Sequence, residues 1–219
     1  MTSEWLIWQL ADSAFPTGGF AHSGGLEAAW QSGEVRGVEE LWTFVHHALD
    51  QAGHAALPLL TAAHREPSRL VQLDTLADAF LTNAVANRAS RVQGRSFVTT
   101  CARIWPMPSV KALETAVREC CGHYAPVAGA TGRALELSLD VTQRLFLFQN
   151  ARGVIAAAVR LGIIGGYEGQ RLQVDCASVL DAVLDRCGRL GEEDLAQTAP
   201  LLDIVQSAHD RLYSRLFQS

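Results

Sequence analysis

Lysine is almost missing from this chain: Lys111 is the only one, against seventeen arginines. A phosphate cradle needs a glycine-rich loop followed by a lysine that reaches the phosphates. No such loop precedes 109-SVKAL-113, which excludes a nucleotide-binding P-loop. The arginines are scattered and the net charge is −5, so no basic stripe marks a nucleic-acid partner. Alternating β-branched strand patterns are nearly absent, which removes sheet folds. No H-E-x-x-H and no pair of C-x-x-C motifs specify a closed metal cage. The N-terminus shows no basic segment leading into an apolar run and a cleavage site, so no secretory signal is expected. The most apolar stretch, 145-LFLFQNARGVIAAAVRLGIIGG-166, carries Arg152 and Arg160 and makes a poor membrane span. Five cysteines cannot all pair and are too sparse for a disulfide scaffold, which points to a reducing cytoplasm.

What remains is helical. In 38-VEELWTFVHHALDQAG-53 the residues Val38, Leu41, Trp42, Val45, Leu49 and Ala52 recur on one helix face, with Gly53 as the expected stop. Pro58 suits the first turn of a helix within 54–66. Ser68 is the expected cap of a helical region reaching Cys101, with a break near Leu81–Thr82. Ser109 is the expected cap of the next helix. Residues 139–161 are apolar nearly all round and predict a central helix covered by neighbours, with Gly153 as a close-packing point. Residues 168–188 and 200–216 have helical spacing, and Gly188 and Gly191 punctuate the gap between them. Residues 124–137 give no clear pattern, and 129-GATGR-133 reads as an inter-helix turn. The prediction is one all-α domain over residues 1–219, a helical bundle.

Three places carry candidate chemistry. The loop 12-DSAFPTGGFAHSGGLEAAW-30 contains 21-AHSGG-25, similar to a hydrolase nucleophile elbow with Ser23 exposed on a strand-to-helix turn. Pro16 and two glycines spoil the strand that an elbow requires, so Ser23 reads better as the cap of a helix holding Leu26 and Trp30. The group 120-CCGH-123 and the set His46, His47, Asp50 and His54 offer thiolates and imidazoles suited to zinc or nickel, without the spacing of a tight site. Adjacent cysteines also serve as small packing residues, and the histidines read as a solvated helix face. The end 207-SAHDRLYSRLFQS-219 keeps Leu212, Tyr213, Leu216 and Phe217 beside two arginines where termini ordinarily fray. It either folds back on its own domain or anchors a partner.

The loop motif Pro16, Gly18, Gly19, Phe20, Ser23, Gly25, Leu26 and Glu27 is similar to the P-x-G-G-F-S-Y-S-x-G-L-E of the urease accessory protein UreF family. Three further pieces, 88-RASRVQGR-95, 159-VRLGIIGGYEGQ-170 and 209-HDRLYSRLFQS-219, resemble that family's segments in the same order. The resemblance implies an all-α homodimer that bridges UreD (also called UreH) to the GTPase UreG and takes part in delivering nickel to apo-urease. It implies no catalytic residue and no cofactor, nickel being handled by the assembly. Gly18, Gly19, Phe20, His22, Ser23 and Glu27 would lie towards the GTPase. Tyr213, Arg215, Leu216, Phe217 and Ser219 would form the tail surface, with Leu216 and Phe217 as anchors into UreD. Regulation of GTP turnover by an arginine supplied in trans, a hydrolase using Ser23, and a nickel carrier using Cys120 or Cys121 are the other readings.

This sequence departs from the family pattern in three places: Ala21 and His22 stand where Ser-Tyr is usual, Gly166 replaces a proline, and Asp210 stands where Glu is common. His22 is the sharpest change, because histidine is smaller than tyrosine and titrates near neutral pH.

Overall fold

The structure, a computed structural model, describes residues 4–219, and every regular element in it is helical. In chain order the α-helices are α1 (Glu4–Ala11), α2 (Leu26–Gln31), α3 (Val38–Ala55), α4 (Leu57–Arg65), α5 (Leu70–Phe80), α6 (Ala84–Ile104), α7 (Pro108–Arg118), α8 (Tyr124–Ala134), α9 (Leu139–Arg160), α10 (Gly166–Cys187) and α11 (Pro200–Ser207). None of the described helices is long and apolar enough to cross a membrane.

Helix α8 occupies the centre, in the segment expected to contain a turn. Its residues from Ala125 to Gly132 are all buried, and α4, α6, α9, α5 and α7 pack around it. The glycines of 129-GATGR-133 are packing positions. A Cβ on Gly129 would overlap the Leu60 carbonyl of α4, and one on Gly132 would lie 2.6 Å from the Thr142 hydroxyl of α9. Small side chains therefore set the distance of closest approach between these helices, at the expense of local helix propensity. Around this axis one hydrophobic cluster runs from Leu10 to Phe217 and includes Leu41, Leu49, Leu57, Leu60 and Leu147. Each fully buried leucine contributes about 1.5–3 kcal/mol relative to exposure.

Several expected boundaries move for physical reasons. Gly53 lies inside α3, because its missing Cβ admits Val183 and Cys187 of α10; a Cβ there would meet Val183 Cγ1 at 2.6 Å. Pro58 sits in the first turn of α4, as its geometry demands. Ser68 belongs to a short 3-10 turn and α5 begins after Arg69, while α7 begins one residue before Ser109, whose hydroxyl turns to the Ala134 carbonyl. The side-chain caps are instead Asn83, accepting from Val85 and Ala86 at the break between α5 and α6, and Ser138, accepting from Val141 at the start of α9. Gly153 on α9 has open space beside it rather than a close neighbour.

Helix α11 ends at Ser207, short of the expected 216. A 3-10 turn over Ala208–Arg211 follows, and the chain then leaves helical geometry. The main-chain N–H groups of Leu216 and Phe217 are taken by the Glu27 carboxylate, an alternative to helical bonding.

Candidate functional site

The glycine-rich loop and the tail form one interlocked unit. Gly25 begins α2 with φ +92°, a left-handed conformation that favours glycine, and a Cβ there would stand 3.0 Å from Gln206 of α11. That conformation turns Glu27 inward. Its two carboxylate oxygens accept Leu216 N–H at 2.6 Å, Phe217 N–H at 3.1 Å and the Nε2 of His209 at 3.1 Å. An ionised carboxylate only accepts, so Nε2 carries the proton in this pair. The Nδ1 of His209 is buried without a partner.

A second layer closes over the first. The Ser23 N–H and Ser23 hydroxyl both donate to the Ser219 main-chain oxygen, at 2.6 and 3.0 Å, and Gln218 N–H donates to the Ala21 carbonyl at 2.8 Å. The Nδ1 of His22 lies 2.6 Å from the Ser219 hydroxyl, while its Nε2 is buried with no partner. Burial lowers the His22 pKa below its ordinary value, and the nearby His209 and Arg88 lower it further. Outside this layer Arg88 donates to Asp210 at 2.8 Å, Arg215 lies 3.7 Å from the same carboxylate, and Gln31 donates to the Ser214 carbonyl.

Apart from Gly18 and Gly19, which are half-buried, and Arg215, which is exposed, the sequence-predicted residues separate into two sets. His22, Ser23, Glu27, Phe217 and Ser219 are buried inside the chain. Phe20, Tyr213 and Leu216 are exposed, at 69%, 104% and 54%, and therefore present the free apolar surface of this region. Arg160 joins the sets: its guanidinium carbon lies 3.7 Å from the Phe20 ring centroid and 4.2 Å from that of Phe217. This stacking fixes an exposed aromatic over a buried one. Sequence reading missed Arg160 and His209 as parts of the unit, although both lie in the quoted motifs. Behind the loop is a cavity of about 540 Å³, lined among others by Phe20, His22, Tyr124, Arg152, Gly153 and Ser219.

Ser23 is 1% exposed; its hydroxyl donates to Ser219 and accepts the Glu27 N–H at 3.3 Å. Gly25 holds the N-cap position expected for it. No strand precedes Ser23 among the described residues, so the strand-to-helix turn of a nucleophile elbow is not formed. The histidines of α3 do not converge. His46 packs edge-on against Trp42, His47 is exposed, and His54 lies 3.6 Å from Asp50, which Arg186 also holds. The five cysteines are free thiols, and burial pushes Cys101 up to about 12 and Cys176 up to about 11.

Comparison with known proteins gives a consistent answer over the whole length. Residues 35–177 match the family described as UreF. The urease accessory protein F of Arabidopsis thaliana is 38% identical over 99% of this chain and 92% of its own. The urease accessory protein UreF of Mycobacterium sp. (strain JLS) is 30% identical over 100% of both chains, and that of Bacillus sp. (strain TB-90) is 28% identical over 97% of both. With its loop, arginine, glycine and tail motifs folded into one helical unit, this chain belongs to the UreF family of urease accessory proteins.

Proposed function

We propose that this chain serves urease maturation as a non-enzymatic scaffold: a single all-α domain, homodimeric and cytoplasmic, that bridges UreD/UreH and the GTPase UreG on the way to apo-urease. One observation carries this reading. The loop and the tail, far apart in sequence, are locked together by buried hydrogen bonds while Phe20, Tyr213 and Leu216 stay exposed around them. Buried order beneath an exposed aromatic surface is how binding faces are preorganised, with aromatic and arginine side chains concentrating the energy. In this reading Phe20 faces the GTPase, held by Gly18 and Gly19, whereas Tyr213, Arg215 and Leu216 face UreD. His22, Ser23, Glu27, Phe217 and Ser219 shape both contacts from beneath. The clasp itself holds no nickel.

Co-purification decides it. Phe20→Asp is expected to abolish capture of UreG, and Tyr213→Ala with Leu216→Ala to abolish capture of UreD. Because these side chains are exposed, the variants retain the parent's circular dichroism. Unchanged capture by both folded variants refutes the scaffold reading.

A further inference from the structure

A different part of the molecule brings the distant Asp78 beside Cys121 and His123, which one short motif supplies. The link between α7 and α8 carries 120-CCGH-123, and α5 passes beside it with Asp74 and Asp78, four residues apart and so on one helix face. Asp74 is buried and grips the main chain of the link, accepting Cys121 N–H at 2.7 Å and His123 N–H at 2.6 Å. From the other side Arg95 donates to the carbonyls of Cys120 and Cys121, both at 3.0 Å. Gly122 takes φ +77°, and its carbonyl presses on Gly94 of α6 where any Cβ would overlap it. The backbone that presents Cys121 and His123 is thus fixed from both sides, as preorganised ligand sites require.

One turn along α5, Asp78 meets the side chains. Its Oδ1 lies 3.1 Å from the Nε2 of His123, and a carboxylate oxygen of Asp78, the thiol sulfur of Cys121 and a ring nitrogen of His123 all fall within 4.8 Å of one another. His123 is fully buried, with Nδ1 3.2 Å from the Ser90 hydroxyl, whereas the Asp78 side chain is 43% exposed. The cluster therefore has a rigid floor and an open side towards solvent.

We propose that Asp78, Cys121 and His123 bind one divalent transition-metal ion of borderline softness, of the zinc, cobalt or nickel class. One thiolate, one imidazole and one carboxylate make a mixed set suited to such ions and poorly suited to magnesium or calcium. Three protein ligands leave a further position for water or an exchanging ligand. Binding forms bonds to Cys121 Sγ, His123 Nε2 and an Asp78 oxygen. The Cys121 thiol proton leaves to solvent, and the ring proton of His123 resides on Nδ1, donated to Ser90 Oγ, which orients the imidazole. Cys120 stands outside the set: its thiol turns to the Val117 carbonyl, 3.8 Å away. The proposal does not depend on the scaffold reading, because the set is complete within one chain.

The test is titration of the full purified chain with cobalt(II), with no partner present, under reducing and chelator-free conditions. The expected result is saturation at one equivalent, with a thiolate-to-cobalt charge-transfer band in the near ultraviolet that zinc displaces. Cys121→Ser should remove the band, Cys120→Ser should keep it, and Asp78→Asn should weaken binding by about tenfold or more. Circular dichroism of the metal-free variants confirms that each is folded. No band in the parent, a band that survives Cys121→Ser, or one lost equally in folded Cys120→Ser overturns the proposal.

Discussion

The Glu27 carboxylate lies 3.1 Å from the Nε2 of His209, and both side chains are shut away from solvent. A buried carboxylate is tolerable only when charge-assisted hydrogen bonds replace its hydration, and Glu27 gains three of them from the tail. Replacing it strands the partners. Glu27→Ala is expected to cost about 3–5 kcal/mol in urea unfolding, the range for breaking a buried pair. Glu27→Gln should cost less, since its amide oxygen still accepts. Limited proteolysis should then cut the tail of Glu27→Ala within residues 212–219. An alanine variant with parental stability and an uncut tail contradicts this account.

Acid is expected to weaken the fold as buried imidazoles are forced to take up protons. Burial is the main reason that the pKa of His22 and that of His64 lie below the ordinary 6.5, although a bond to the Leu137 carbonyl partly opposes it at His64. The unfolded chain therefore takes up protons near 6.5 while the folded chain resists them. The contribution of these residues is complete above 6.5 and falls as the pH drops from there through the lowered folded values. Urea midpoints compared at about pH 7.5 and about pH 5.5 should show the loss, and His22→Gln should reduce it.

Neighbouring aromatics in the tail should behave oppositely. Tyr213 is fully exposed, and Tyr213→Ala is expected to alter stability by no more than about 0.5 kcal/mol. Phe217 is buried beneath Arg160, and Phe217→Ala is expected to cost about 3–5 kcal/mol. Thermal melts of the two variants distinguish a surface residue from a structural one.

Gly129→Ala tests the central crossing. The added methyl has no room beside the Leu60 carbonyl of α4, a backbone atom that cannot swing away. Overpacking of this kind costs about 1–3 kcal/mol, occasionally more, although alanine is the better helix former. Gly153→Ala, with open space beside it, should be neutral or stabilising in the same assay.

Those two glycines also explain where the sequence could and could not be read. Local patterns reported local facts: the apolar stripe of α3, the proline in the first turn of α4, and the α5–α6 break all lie near their expected positions. Glycine is ambiguous because one missing side chain serves turns and tight crossings alike. Gly129 in a buried helix therefore resembled a turn, whereas Gly153 on a long helix resembled a crossing. The early stop of α11 was hidden for a related reason, since the acceptor that draws Leu216 and Phe217 out of helical bonding is Glu27, 189 residues away from Leu216. Motif order in the chain pointed to the loop and the tail separately. Only the folded chain joins them through His209 and Arg160.

That span has a consequence for biosynthesis. Residues meeting across 189 to 197 positions are brought together late, because the loop leaves the ribosome long before its counterpart exists. Until residues 208–219 emerge, Phe20 lacks the aromatic neighbour beneath its arginine. The exposed face to which Phe20 belongs is therefore completed only when the 209–219 segment docks against the loop.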